Sequence, residues 1–399
     1  MKNGEICIIR YDVTVVMPAY NAEDFIELAI ASIKNQTYPV KEIIVIDDGS
    51  TDSTYEIVKE LMKDHKALKI IKQDNKGASA ARNIGISKSN SEWLLFMDAD
   101  DECSSRLIEI YIKEIRKSGK HNEISAVYSA YQQIDEQSTI ISTVLRGEKF
   151  TGNEGFCNII KRNTIISPSG VLVKKSAIIE MNGFNTSIKY VEDVDLWTRL
   201  LGNNHIIEYI DEPLSFIRRH SSNITSSMGT SHEAEKVILN QYGLEIIKEK
   251  LFSRDYSPLE NILDYADFLL RYKEWSECLE LLNELVVEKT STYYITYSFL
   301  RSICHVEHKE YGKALELYED ILTINPEHGS SLNNAGVLYS VNGLQEKAKE
   351  ALLRALQLYP NYLDAQYNAQ LIENCESELS HYRFTMRELR PVLLSYSTD

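Results

Sequence analysis

Four short runs of β-branched and aromatic residues recur through the first hundred positions, and each gives way at its carboxyl end to polar residues. They are residues 13–17 (VTVVM), 43–46 (IIVI), 68–71 (LKII) and 93–97 (WLLFM). Runs this short and this apolar read as buried strands. Between them lie helical patterns. Residues 24–34 set Phe25, Leu28, Ala29 and Ile33 on one helical face, and residues 52–62, after the turn Asp48-Gly49-Ser50-Thr51, turn Ile57, Val58, Leu61 and Met62 inward. Such alternation predicts an α/β domain with a parallel sheet and helices on both faces.

Open α/β sheets bind ligands beyond the carboxyl ends of their strands, near the point where strand order reverses. The four runs end in Pro18-Ala19-Tyr20-Asn21, Asp47-Asp48-Gly49-Ser50, Gln73-Asp74-Asn75 and Asp98-Ala99-Asp100-Asp101. Four strand ends therefore bring polar groups to one rim. Asp98-Ala99-Asp100 is a D-x-D triplet, the kind of carboxylate pair that a hard cation such as Mg²⁺ or Mn²⁺ takes while leaving positions open for phosphate. On its own the triplet reads equally as an acidic turn or helix cap.

The last third of the chain is helical and repetitive. Tyr311-Gly312-Lys313-Ala314 through Pro326 returns as Leu344-Gln345-Glu346-Lys347-Ala348 through Pro360 at an offset of 34, with Gly336, Tyr339, Gly343 and Ala355 in the second copy. The period and the placement of small residues are those of tetratricopeptide repeats, in which stacked helical hairpins bury a face that none buries alone. A degenerate earlier copy lies around residues 275–285 (WSECLELLNEL) at an offset of 36, and the chain beyond Tyr362 reads as a terminal cap. The expected organisation is a domain over 1–220, a linker and connecting helix over 221–257, and helical repeats over 258–399.

Charge narrows the partners. The net charge is −16, and from Pro258 onward 22 acidic residues face 12 basic ones, so ten of those charges sit on the repeats. That field argues against nucleic acid, whose binding needs phosphate neutralisation. The six cysteines (Cys7, Cys103, Cys157, Cys278, Cys304, Cys375) form no C-x-x-C pair and read as reduced, packed thiols. No run reaches the ~18 to 20 apolar residues of a membrane span, and the N-terminus does not read as a leader. The expectation is cytoplasmic residence, with peripheral membrane contact left open.

The N-terminal part resembles family 2 of the inverting glycosyltransferases, which have the GT-A fold, a Rossmann-like, mostly parallel sheet. The resemblance rests on VVMPAYNAEDFIELAIASIKNQTYP, IIVIDDGSTDST, NKGASAARNIGI, WLLFMDADD and NGFNTSIKYVEDVDLWTRL, in order, over residues 12 to 220. It implies a nucleotide site at Pro18, Ala19, Tyr20 and Asp48, with Asp98 on the ribose and Arg82 by the phosphates or buttressing the D-x-D carboxylates. Asp100 would ligate Mn²⁺ or Mg²⁺, joined by His220 on a loop that closes over the diphosphate. Asp193 would be the general base, with Glu192 positioning the acceptor. Donor-sugar selectivity would lie around residues 125–170, including Ser167-Pro168-Ser169-Gly170.

The chemistry needs that set, because displacement at an anomeric carbon requires a carboxylate to take the acceptor proton and positive charge to stabilise the leaving diphosphate. The same residues have plainer readings: Asp47 and Asp48 can open a turn, Asp193 can cap a helix, Trp197 can be core, and His220 can be a solvated loop residue. The expected function is transfer of a hexose-type sugar from a nucleotide-diphosphate donor, a UDP-sugar, to a protein or peptide recruited by the repeats, which also offer a surface for a homodimer. The alternatives are a polysaccharide or lipid-linked glycan acceptor, and a non-catalytic interaction scaffold.

Overall fold

Strands β1 (Val13–Ala19), β2 (Glu42–Asp47), β3 (Leu68–Lys72) and β4 (Trp93–Phe96) pair in parallel in the order β3-β2-β1-β4. The computed structural model of the chain describes residues 11–117, 124–188, 190–220, 228–374 and 378–389. Cys7, Cys375, residues 221–227 of the stretch read as a linker and the last ten residues of the chain lie outside the described residues. All six residues of β2 are buried. Val13, Val15, Met17, Ile43 and Val45 join one apolar cluster, while Ile44 and Ile46 join another with Ala81. That is period-two alternation across a sheet covered on both faces, and each such side chain contributes about 1.5–3 kcal/mol on burial.

Helices α1 (Ile26–Lys34) and α2 (Thr54–Leu61) cover the first face and α3 (Ala78–Lys88) the second. On α1 the buried stripe is Ile26, Ala29, Ile30 and Ile33, and Leu28, expected inside, is 42% exposed. The helix starts two residues later than its pattern suggested, leaving Phe25 as its N-cap, and the face turned inward is the i, i+3, i+4, i+7 stripe that begins at Ile26. Strand β3, expected to be buried, is half exposed because it forms the edge of the sheet. Helix α3 approaches β1 closely at Gly85, where a Cβ would come within 2.3 Å of Val16.

Beyond β4 the sheet becomes mixed. It continues through β5 (Glu102–Cys103), β6 (Ile124–Ile134), β7 (Phe150–Thr151), β8 (Val171–Lys174) and β9 (Ile206–Arg218), giving the order β3-β2-β1-β4-β8-β6-β9-β5 with β7 on β9. Strand β8 runs antiparallel to both β4 and β6, and the β6–β9 pair is parallel with several register shifts. Helices α4 (Leu107–Lys117), α5 (Gly152–Lys161), α6 (Lys175–Glu180) and α7 (Glu192–Gly202) belong to this part, and α8 (Met228–Phe252) leads out of it.

The chain divides into two compact units, Met1–Gly243 and Leu244–Asp399. The boundary falls at Gly243, whose φ of 71° breaks α8. The second unit is helical: α9 (Pro258–Arg271), α10 (Trp275–Asn283), α11 (Tyr294–Glu307), α12 (Tyr311–Ile324), α13 (Gly329–Val341), α14 (Gln345–Leu358) and α15 (Leu363–Glu373). A single 3₁₀ turn, Leu379–His381, and an irregular stretch to residue 389 follow. Cys278, Ala314 and Ala348 are fully buried at matching places on α10, α12 and α14, as are Leu282, Tyr318 and Leu352. The three hairpin turns each need one residue in the left-handed region, and it is Lys273, Lys309 and Gly343. The described cysteines, Cys103, Cys157, Cys278 and Cys304, are buried as expected, and among the described residues they form no disulfide.

Candidate active site

The strand order reverses between β1 and β4, and the polar residues collect at that end of the sheet. The loops after β1 and β2 are stitched together there. The Asn21 amide donates to Ser50 Oγ at 3.1 Å and the Thr51 amide to Asn21 Oδ1 at 2.8 Å. Further along, the Glu23 amide donates to Asp52 Oδ2 at 3.1 Å and the Ser53 amide to Glu23 Oε2 at 2.9 Å. These reciprocal bonds were not legible in the sequence, since Asn21 and Ser50 are ordinary loop residues until the sheet makes them neighbours.

Pro18 and Ala19 end β1, and Tyr20 follows with its ring 51% exposed. Asp48, on the adjacent strand end, is buried, and the Ala19 carbonyl accepts its amide at 2.8 Å. Its carboxylate accepts from the amides of Lys76 (2.8 Å) and Gly77 (2.7 Å) and from Gln73 Nε2 (2.5 Å). Asp48 thereby fixes the loop that leads into α3. The turn reading also holds for its neighbour, because Asp47 Oδ1 accepts the Ser50 amide at 2.9 Å.

Arg82 is the organising cation. Projecting from α3 and only 3% exposed, it donates to Asp98 Oδ1 and to Glu192 Oε1, each at 2.8 Å. Burial alone would lower its pKa, but the Asp98 and Glu192 carboxylates outweigh burial and hold it above its ordinary range. The guanidinium also lies over the Phe184 ring at 5.4 Å. Asp98 is held a second time, its other oxygen accepting from Ser167 at 3.1 Å and its amide donating to Ser169 Oγ at 3.0 Å. The loop 167–170 therefore closes on the D-x-D turn.

Asp100 Oδ2 lies 3.0 Å from His220 Nε2, and the imidazole packs on Phe25 with ring centroids 5.1 Å apart. Burial and the Asp98 carboxylate raise the Asp100 pKa, and the His220 contact offsets part of the rise. Arg218 lies beneath this pair, fully buried against Phe25 at 4.8 Å. Its amide donates to Asp101 Oδ1 and its Nε to the Asp100 carbonyl, each at 2.8 Å, and it pairs with Glu102. Sequence reasoning missed Arg218 and Asp101, although the third acidic residue of DADD and the doubled arginine before His220 were visible signals.

Glu192 and Asp193 open α7, where unpaired amides favour negative charge. The preceding Val191 has a left-handed backbone (φ 60°), a costly state for a β-branched residue. Asp193 is buried, and burial together with the Glu192 carboxylate raises its pKa to about 7. Trp197 is fully buried core, as its plainer reading held. The structure thus brings Arg82, Asp98 and Glu192 into one bonded group with Asp193 adjoining it in the chain, pairs Asp100 with His220, and leaves Tyr20 and Asp48 on neighbouring strand ends. Among the described residues no three His, Cys, Asp or Glu side chains form a preassembled metal cage.

Residues 14–181 match the family described as glycosyl transferase family 2. The chain is 31% identical over 196 residues, 49% of its length, to 72% of an Escherichia coli protein, UDP-Glc:alpha-D-GlcNAc-diphosphoundecaprenol beta-1,3-glucosyltransferase WfgD. It is 32% identical over 213 residues, 53% of its length, to 29% of an uncharacterized glycosyltransferase of Rickettsia bellii. It spans less than half the length of the rickettsial relatives it matches. In fold it resembles the crystal structure of S. aureus TarS 1–349 in complex with UDP-GlcNAc, at a TM-score of 0.50 and 16% identity, covering 91% of this chain and 90% of that one. The architecture is a GT-A-like mixed sheet followed by an all-helical region.

Proposed function

The chain belongs to glycosyl transferase family 2, and from that premise we propose that it transfers a sugar from a UDP-sugar, with a divalent cation and inversion at the anomeric carbon. The observation that carries this reading is the raised pKa of Asp193, about 7, beside the Arg82-centred carboxylates. A base is most effective when its pKa lies near the working pH. Asp193 takes the acceptor proton as the new glycosidic bond forms. Glu192, held by Arg82, orients the acceptor. One base and one cation site, with no second nucleophilic carboxylate required, suit a single displacement, hence inversion. The E. coli relative, by its name, takes glucose from UDP-Glc, which supports uracil at the Tyr20–Asp48 strand ends.

The residues present fit Mn²⁺ or Mg²⁺. Asp100 and His220 offer one oxygen and one nitrogen within 3.0 Å of each other, and Mg²⁺ is commonly held by one or two carboxylates with phosphate and water completing its shell. When bound, the cation would offset the charge developing on the leaving diphosphate. Asp98 would then face the ribose, positioned by Arg82 and Ser167.

For the acceptor the first reading is a polypeptide recruited by the tetratricopeptide-like repeats. The second is a lipid-linked glycan, favoured by the E. coli relative, whose name gives a diphosphoundecaprenol acceptor. Calorimetry with UDP, GDP, dTDP and CMP, with and without Mn²⁺, tests the donor and metal together. Mn²⁺-dependent binding of UDP that is lost in Asp100→Ala is the expected result. Failure of every nucleotide to bind would overturn it in favour of a scaffold, and peptide and lipid-linked acceptors offered with the donor then separate the two acceptor readings.

A further inference from the structure

The helical unit holds part of its own chain by the backbone. After the 3₁₀ turn, the irregular stretch from Tyr382 to Leu389 lies along α13 and α15. Asn368 accepts the Arg383 amide at 2.8 Å and donates to the Arg383 carbonyl at 2.7 Å. Asn334 does the same for Thr385, at 2.8 and 2.9 Å. Ser330 donates to the Arg387 carbonyl at 2.8 Å. Residues 383, 385 and 387 are alternate positions, the spacing at which an extended chain presents one side.

The holding residues are themselves periodic. Asn334 and Asn368 stand 34 apart, one repeat, and Ser330 and Asp364 occupy the matching places one helical turn earlier on the same faces. Asp364 Oδ2 accepts from the Thr385 hydroxyl at 2.9 Å, and Thr296, one repeat before Ser330, donates to Glu388 at 3.0 Å. Equivalent positions in successive hairpins therefore grip successive parts of one strand. Asn333, Asn334 and Asn368 are fully buried, and buried amides in a helix core are tolerated only where they find partners. Here the strand supplies many of those partners. Tyr382, Phe384 and Leu389 of the stretch also pack on the apolar cluster that contains Leu332, Leu352 and Tyr362, so the grip has an apolar part beside the polar one.

We propose that this face of α13 and α15 is a receptor for an extended polypeptide, held by its backbone and by apolar side chains placed as Tyr382, Phe384 and Leu389 are, and that residues 382–389 are a tethered occupant that a segment supplied in trans displaces. The inference deepens the polypeptide-acceptor reading, and its test reads binding alone, so a failure of sugar transfer leaves it standing. A fluorescent synthetic peptide of residues 378–389 is titrated by anisotropy into the full chain, into Thr385→Pro, and into a chain ending at Asn374. Proline removes the amide that Asn334 accepts without touching the receptor face. Both variants are expected to bind the peptide at least about tenfold more tightly than the intact chain, and Asn334→Ala with Asn368→Ala in either background is expected to abolish that gain. The same peptide with proline in place of Thr385 is expected to bind neither variant tightly. If a folded variant binds no better than the intact chain, or the gain survives loss of both asparagines, the proposal is overturned. If both variants lose the helical unit's melting transition, the stretch is a structural cap and the proposal is likewise overturned.

Discussion

Asp193 carries opposed demands in one carboxyl group. Burial and Glu192 resist its ionisation, and the resulting pKa of about 7 places it where it can exchange a proton at neutral pH. In the unfolded chain an aspartate ionises near 4, about three units lower. Between those values the folded chain keeps a proton that the unfolded chain has lost, so stability falls as pH climbs from about 4 through about 7. Asp193→Asn should therefore lower kcat/KM by about a hundredfold or more, the usual scale for a lost general base, and abolish the rise of kcat/KM with pH through neutrality. The same substitution should raise Tm by about 2 °C or more near pH 8 and leave it unchanged near pH 4. A Tm that moves equally at both pH values would mean that the carboxyl is not held protonated in the fold.

Between helices of the second unit, the turn residues Lys273, Lys309 and Gly343 share a positive φ, 64°, 61° and 77°. Only glycine adopts that backbone without cost. Lys309→Gly should stabilise the helical unit by about 0.5–1 kcal/mol, and Gly343→Ala should destabilise it by about 1 kcal/mol, read as shifts of the urea midpoint at constant slope. Opposite signs at equivalent turns are the diagnostic. Period also decided what could be read in advance. Strands β1 to β4 were legible because all four are short apolar runs closed by polar residues, and their ends placed Asp48, Asp98 and Asp100 correctly on one rim. Strands β5 to β9 were not: β9 carries Asp211, Glu212 and Pro213 mid-strand, its pairing with β6 slips register, and β5 and β7 are two residues each. Arg218 and Asp101 escaped for a related reason, because their bond joins residues 117 apart through a backbone amide that no side-chain pattern encodes.

Charge acts on the molecule as a whole. The net charge is −16, with ten of those charges after Pro258, and among the described residues no helix is long and apolar enough to cross a membrane. A field of that sign repels anionic lipid, whose attraction to proteins works through clustered lysine and arginine. Purified chain spun with phosphatidylserine-rich vesicles should stay in the supernatant at about 0.1 M salt, where charges are screened beyond about 10 Å. Co-sedimentation that weakens with added salt would instead reveal a basic face. The repeat has a further consequence of scale. Asn334 and Asn368 are 34 residues apart, while the residues they clasp, Thr385 and Arg383, are two apart. Helix is thus geared down to strand, one hairpin advancing the grip by two residues, about 6.7 Å. A chain with one more hairpin of the same kind would measure out one more pair, so the length of the array becomes a ruler for how much polypeptide is grasped at once.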